Sequence, residues 1–254
     1  MSGAALVRLS GALAEARPMP RAALYELARV GRRRLLGEVI RVQGDLATLQ
    51  VYEDTNGLEI GEPVESTGNA LTVSLGPGLL GAILDGIGRP LGRLAEQTGD
   101  FIRPGAEAAT LEAGARWQFT PVVRVGESVQ GGDVIGTVPE RPGLEHRVLV
   151  PPGVVGIVAA IEAGEFTVTD AVGRLEDGTP LRLAHAWPVR RPRPVAEQLP
   201  DDRPFVTGQR VFDFLFPVAE GGAVVVPGGF GTGKTVIEQS LAKYADADIV
   251  VYIG

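Results

Sequence analysis

The sequence predicts a multi-domain α/β protein in which two β-rich parts precede a unit built from a strand, a glycine-rich turn and a helix. Short strand-like runs separated by turn residues fill residues 1–66, and a second β-like stretch covers residues 110–186. Near the C-terminal end, an apolar run leads into a glycine-rich stretch and then a helix-like segment. These changes of pattern divide the chain into residues 1–66, 67–109, 110–186 and 187–254.

Residues 1–66 are predicted to form a small N-terminal β-barrel. Strand-like runs at 35–42 and 46–53 are separated by a turn at 43–45, and the Asn-Gly pair within 55–57 favours a hairpin before the next strand. Several short strands at close spacing are typical of a small barrel.

Residues 67–109 are predicted to be a connector that also begins the domain completed near the C-terminus. The stretch is rich in glycine, and Asp85 opens an Asp-Gly-x-Gly sequence. A calcium loop would need a full set of oxygen ligands, and that pattern is missing. The connector is therefore the preferred interpretation.

Residues 110–186 are predicted to be an inserted β-rich module. The run at 121–138 has the rhythm of a lipoyl or biotinyl hairpin domain, but such a carrier needs a lysine at a hairpin tip. No lysine occurs between residues 1 and 233, so we predict a lipoyl-like structural module. The proline-rich stretch at 187–194 follows, and its arginines are interpreted as part of an extended, solvated linker.

The most informative motif lies at residues 228–235, which fit the phosphate-binding pattern G-x-x-x-x-G-K-[ST]. Residues 223–227 are predicted to be a buried strand and 236–244 a helix, so backbone N–H groups and the positive end of the helix dipole would meet the phosphates. Lys234 and Lys243 are the chain's only lysines, and Lys234 occupies the motif position. We therefore predict that the chain binds a nucleoside triphosphate through Gly228, Gly229, Phe230, Gly231, Thr232, Gly233, Lys234 and Thr235.

Composition excludes several other functions. The net charge of −7 argues against a nucleic-acid partner. The absence of cysteine excludes a disulfide framework and a thiolate metal site, and His146 and His185 are isolated in sequence.

Taken together, these motifs resemble the catalytic A subunit of a V-type (archaeal-type V/A) rotary ATPase or ATP synthase. The likeness runs from about residue 20 to the end, and the inserted module distinguishes this catalytic subunit from its non-catalytic partner. Besides the phosphate motif, the segments that carry it are Gly31, 37–41, 51–58, 61–64, 75–78, 85–87, 89–91, 150–153, 187–190, 204–210 and 215–218.

The resemblance implies a RecA-like P-loop domain that is incomplete in this chain. The apolar run at 249–253 predicts a further strand, and in the family the loop with the catalytic glutamate follows at once. We therefore expect the N-terminal portion of a longer subunit, inactive by itself. The resemblance gives Lys234 the catalytic role of neutralising γ-phosphoryl charge, gives Thr235 a Mg²⁺ ligand role, and implies ATP or ADP as the bound nucleotide.

The resemblance also implies a setting for the complete subunit. Three copies would alternate with three non-catalytic B subunits around a central shaft, with peripheral stalk subunits outside. ATP turnover would be coupled to proton or sodium transport, with membrane contact only through the ion-translocating sector, on the cytoplasmic face. Two alternatives stay open: a nucleotide-binding or structural ring component without activity, and a related hexameric P-loop ATPase of helicase or export type.

Overall fold

The computed structural model describes residues 3–195 and 197–254, so predictions for residues 1, 2 and 196 lie outside the described residues. The chain divides into two compact units, the first ending at Arg193 and the second beginning at Pro194. The first unit is almost entirely β-structure, and the second carries the phosphate motif.

The first unit begins with an antiparallel sheet of six strands in the order β1-β2-β5-β4-β3-β6. The sheet closes because the Leu6 amide donates to the Glu62 carbonyl at 2.8 Å and the Gly61 amide donates to the Leu6 carbonyl at 2.8 Å. Alternate residues of the strands point inward and form one apolar core, as the period of two requires. The predicted small barrel is confirmed; its strands are β1 (Ala5–Ser10), β2 (Leu13–Arg17), β3 (Glu26–Val30), β4 (Leu35–Gln43), β5 (Leu46–Val51) and β6 (Val64–Ala70).

The hairpin predicted at 55–57 is wrong, although a local turn does form there. The Asp54 carboxylate accepts hydrogen bonds from the backbone and side-chain amides of Asn56 at 3.0 and 3.1 Å, and Gly57 has a φ of 83°. However, β6 pairs with β3 and not with β5. Local turn chemistry was therefore predicted correctly, but closure of the barrel carries the next strand to the opposite edge of the sheet.

The connector between the barrel and the module contains β7 (Thr72–Leu75) and α1 (Leu91–Thr98). Its Asp85 carboxylate accepts hydrogen bonds from the Ile87 amide at 3.1 Å, the Arg89 amide at 2.8 Å and the Arg89 Nε at 2.7 Å. The Arg89 Nη1 also donates to the Ala106 carbonyl at 2.7 Å. The Asp-Gly-x-Gly sequence thus forms a turn held by an ion pair.

The module consists of two four-stranded sheets that enclose a second apolar core. Their orders are β11-β10-β8-β13 and β15-β14-β12-β9. The fully buried Phe119 lies so close to Gly136 that a Cβ at this glycine would overlap the aromatic ring. The predicted β module is confirmed; its strands are β8 (Trp117–Pro121), β9 (Ser128–Gln130), β10 (Val134–Arg141), β11 (Leu144–Leu149), β12 (Val155–Ile161), β13 (Gly164–Phe166), β14 (Ala171–Leu175) and β15 (Pro180–Arg182).

The chain leaves the module through β16 (His185–Pro188), which pairs antiparallel with β7. The register places Leu75 opposite His185 and Thr72 opposite Pro188. The interpretation of 187–194 as a solvated linker is therefore wrong for its first residues, because Trp187 is buried and belongs to this strand pair.

The second unit contains β17 (Pro204–Phe205), α2 (Arg210–Leu215), β18 (Val218–Ala219) and α3 (Lys234–Tyr244). The helix predicted at 236–244 is confirmed. The strands predicted at 223–227 and 249–253 are wrong as paired strands, since both segments lack a ladder and Val225 is 84% exposed. A buried parallel strand needs hydrogen-bonded neighbours on its sides, and no described residue supplies them to these runs.

Candidate phosphate-binding loop

Residues 228–235 form a loop that passes directly into α3. Gly231 and Gly233 have φ values of 78° and 85°, in the left-handed region that favours glycine. Gly228 is constrained in another way, because a Cβ there would collide with the Thr232 hydroxyl. That hydroxyl donates to the Gly229 carbonyl at 2.9 Å and closes the loop on itself. Three of the motif glycines thus have a structural reason to be glycine.

Lys234 is the first residue of α3, and its ammonium group reaches back across the loop. Its Nζ donates a hydrogen bond to the Gly228 carbonyl, so the side chain spans the loop from one end to the other. Among the ion pairs of the described residues, none involves Lys234. A cation held by one neutral carbonyl is available to an anionic oxygen, which forms a stronger, charge-assisted hydrogen bond.

The N-terminus of α3 carries the other groups of the motif. Gly233 is the N-cap and supplies no side-chain cap, and the first turn of the helix contains no acidic residue. The first N–H groups of the helix therefore keep the donor capacity that suits an anion. Thr235 is exposed in the first turn, and Phe230 is fully exposed on the loop.

The far end of α3 is braced by a turn around Gly208, which sequence analysis used only as part of a resemblance. The Asp246 amide donates to the Val206 carbonyl at 2.9 Å, and Gly208 packs against the backbone of Tyr244. The Thr207 hydroxyl and amide donate to the Asp213 carboxylate at 2.7 and 2.8 Å. These two hydrogen bonds lower the pKa of Asp213. A glycine followed by an aspartate five residues later was the available signal.

Beside α3 lies an apolar cavity of about 350 Å³ within the second unit. Phenylalanines from α2 and β17 and aliphatic residues of α3 line it, including Phe205, Phe212, Phe216, Ile237 and Leu241. Since its lining carries no ionisable side chain, the cavity offers no acid–base chemistry. The groups that can interact with an anion are on the loop.

The loop residues fit a magnesium–nucleotide complex better than a protein-only metal site. Among the described residues, no group of three His, Cys, Asp or Glu side chains could hold a metal ion. Mg²⁺ usually keeps several waters and is held by one or two protein oxygens together with phosphate oxygens. The exposed Thr235 hydroxyl is an oxygen of this kind.

Three protein-family models match successive parts of the chain. The β-barrel domain of the ATP synthase alpha/beta family matches residues 6–68, the family's barrel-sandwich domain matches 108–190, and its nucleotide-binding domain matches 208–254. The chain therefore belongs to the ATP synthase alpha/beta family. The predicted succession of barrel, inserted module and beginning of a nucleotide-binding domain is confirmed.

Curated relatives narrow the family further. The V-type ATP synthase alpha chain of Anaeromyxobacter dehalogenans is 54% identical over 100% of this chain and 44% of its own length. The second of the catalytic A subunits named for the A-type ATP synthase of Methanospirillum hungatei is 52% identical over 98% of this chain and 42% of its own. The resemblance to the catalytic subunits of V-type and A-type enzymes is thus confirmed for their N-terminal part, and the chain spans less than half the length of these relatives.

A solved structure agrees in fold. The assembled ATPase EscN of the enteropathogenic E. coli type III secretion system matches 97% of this chain and 40% of its own, with a TM-score of 0.52 and 20% identity. At this identity the likeness shows the fold alone. No helix in the described part of the chain has the length and apolar character needed to span a membrane.

Proposed function

We propose that residues 228–235 bind the phosphates of ATP or ADP and that the chain is the N-terminal part of a catalytic A subunit. The observation that carries this proposal is the loop geometry: two left-handed glycines lead into α3, and Lys234 stands at its first position. The match of residues 208–254 to the family's nucleotide-binding domain supports it.

Each loop group has a role that follows from its position. Backbone amides of Gly229, Phe230, Gly231, Thr232, Gly233 and the first helical residues would donate to the β- and γ-phosphates. Lys234 would exchange the Gly228 carbonyl for a phosphate oxygen and neutralise the charge that develops on the γ-phosphoryl group. Thr235 would hold Mg²⁺, which supplies further charge neutralisation when bound.

For the complete subunit we propose ATP hydrolysis or synthesis coupled to proton or sodium transport. The support is that relatives 50–54% identical to this chain are named V-type or A-type ATP synthase chains. We further propose the predicted partners: a non-catalytic B subunit in an alternating hexameric ring, a central shaft and peripheral stalk subunits. Membrane contact is proposed only through the ion-translocating sector, on the cytoplasmic face, with no nucleic acid.

Of the two alternatives, the helicase or export ATPase gains no support, because the export ATPase shares only the fold. A ring component without activity is separated from the proposed enzyme by experiment. If the complete subunit binds nucleotide but does not turn it over in the assembled ring, the structural alternative is correct.

The two lysines of the chain provide a matched test of the phosphate site. Lys243 lies on the same helix as Lys234, with its Nζ 5.1 Å from the centre of the Tyr244 ring. We expect Lys234→Ala to weaken binding of a fluorescent ATP analogue by about tenfold or more, which is about 1.4 kcal/mol, and Lys243→Ala to change it by less than about twofold. Equal effects of the two substitutions would contradict the assignment of Lys234.

The Mg²⁺ role of Thr235 is tested by comparing binding with Mg²⁺ and with a chelator. Thr235→Ser keeps the hydroxyl and should keep the difference between the two conditions. Thr235→Val removes it, and the difference should shrink. A Thr235→Val variant with an undiminished Mg²⁺ dependence would argue against this ligand.

A further inference from the structure

A buried carboxylate in the barrel has its cationic partner far along the chain. Glu38 lies on β4 with a fully buried side chain. Its carboxylate accepts a hydrogen bond from the Tyr52 hydroxyl at 2.6 Å and from Arg190 through Nη2 at 2.7 Å and Nε at 3.2 Å. A buried carboxylate is costly unless it is paired and hydrogen-bonded, so this position depends on a residue 152 positions away.

Arg190 is held on other sides as well. The Val189 amide donates to the Leu71 carbonyl at 2.9 Å, which continues the pairing of β7 and β16 by one residue. The guanidinium carbon of Arg190 lies 5.5 Å from the centre of the Tyr25 ring, within range of a cation–π interaction. Tyr25 has a φ of 66°, an uncommon value for a bulky residue, and this backbone places its ring beside Arg190.

The remaining arginines of this stretch are also docked. The guanidinium carbons of Arg191 and Arg193 lie 5.6 and 5.0 Å from the centre of the Trp187 ring. The Trp187 Nε1 donates to the Arg191 carbonyl at 2.7 Å, and the Arg193 Nη1 lies 3.0 Å from the His185 Nε2. The first compact unit ends at Arg193, where these contacts end. We call residues 189–193 the exit arm.

We propose that Glu38, Tyr52 and Arg190 form a clamp that locks the exit arm to the barrel. Arg190 is then a positioning residue: it fixes the segment from which the second unit begins. The clamp lies outside the phosphate loop and does not depend on the proposed nucleotide binding.

The clamp is asymmetric, and this asymmetry selects the variant that tests it. Removing Arg190 would leave the Glu38 carboxylate buried without a cation. Glu38→Gln instead leaves an uncharged amide in the barrel, and the half-exposed Arg190 side chain can turn to solvent. Glu38→Gln is therefore expected to release the arm while the barrel stays folded.

Limited digestion with trypsin reads the state of the arm directly. Trypsin can cut the arm only after Arg190, because proline follows both Arg191 and Arg193. We expect Glu38→Gln to speed cleavage after Arg190 by about fivefold or more, since cleavage requires local opening of the arm. Tyr52→Phe, which removes one hydroxyl, should speed it less.

Two comparisons separate release of the arm from general unfolding. Glu65→Gln removes an exposed ion pair of the same barrel, in which Arg34 Nη1 lies 2.6 Å from the Glu65 carboxylate, and should leave cleavage after Arg190 unchanged. Cleavage after Arg29, within β3, occurs only if the barrel opens. The proposal is overturned if neither Glu38→Gln nor Tyr52→Phe speeds cleavage after Arg190, or if cleavage after Arg29 rises equally in both.

Discussion

Replacing Gly208 by alanine should loosen the far end of the P-loop helix. Gly208 has a φ of 74°, where an alanine costs about 1–2 kcal/mol. The added Cβ would also overlap the carbonyl oxygen of Tyr244 and lie 2.9 Å from its Cβ. Because the carbonyl is backbone, the turn or the helix end must move, and such overpacking typically costs about 1–3 kcal/mol. The expected loss of stability is therefore about 2–5 kcal/mol.

Gly221 provides the matched control within the same unit. Its φ is 77°, but no atom lies within 4 Å of the position that a Cβ would take. Gly221→Ala therefore meets only the conformational cost of about 1–2 kcal/mol. The difference between the two variants isolates the contact of Gly208 with the helix.

Amide hydrogen exchange at the hydrogen-bonded residues of α3 measures this difference. An excess cost of about 2 kcal/mol for Gly208→Ala predicts exchange roughly thirtyfold faster than in Gly221→Ala. If both variants exchange at the same rate in α3, Gly208 does not brace the helix and the reasoning is refuted.

Three further predictions concern the clamp and the complete subunit. Lys234→Ala should lower kcat at least as strongly as nucleotide affinity, because the lysine serves transition-state charge; turnover within about tenfold of the unmutated subunit would contradict this role. Replacing residues 110–186 by a glycine–serine linker should change nucleotide affinity by less than about tenfold and weaken assembly instead, as titration and ring reconstitution would show. Hydrogen bonds from Arg190 and Tyr52 lower the pKa of Glu38 below its usual 4.5 despite burial, so its stabilisation is complete above pH 4.5 and is lost as the pH falls through the lowered pKa. Acid unfolding should therefore begin at a higher pH in Arg190→Gln than in the unmutated chain, and an unchanged midpoint would argue against the pair.

The sequence was most informative where structure depends on local pattern. Strands β4 and β5 were predicted nearly to the residue, because alternation and a turn at Gly44 are local signals. The phosphate loop was located for the same reason, since left-handed glycines and the start of α3 are encoded within a few residues.

Predictions failed where distant residues decide the outcome. Arg190 was interpreted as part of a solvated linker, because nothing near it in sequence indicates that its partner is a buried glutamate on β4. The run at 223–227 was predicted as a buried strand from its composition, but a strand also requires neighbours that pair with it. Pairing and charge partners at long separation are therefore the information that one sequence does not display.

The pairing of β7 with β16 has an evolutionary consequence. Leu75 and His185 are opposite each other in this ladder, so the 109 residues between them leave and re-enter the barrel unit at neighbouring strands, about 5 Å apart. A segment whose two ends meet can be gained, lost or exchanged as a cassette without stretching the host. The barrel and the exit arm would keep their geometry while lineages remodelled everything between these two residues.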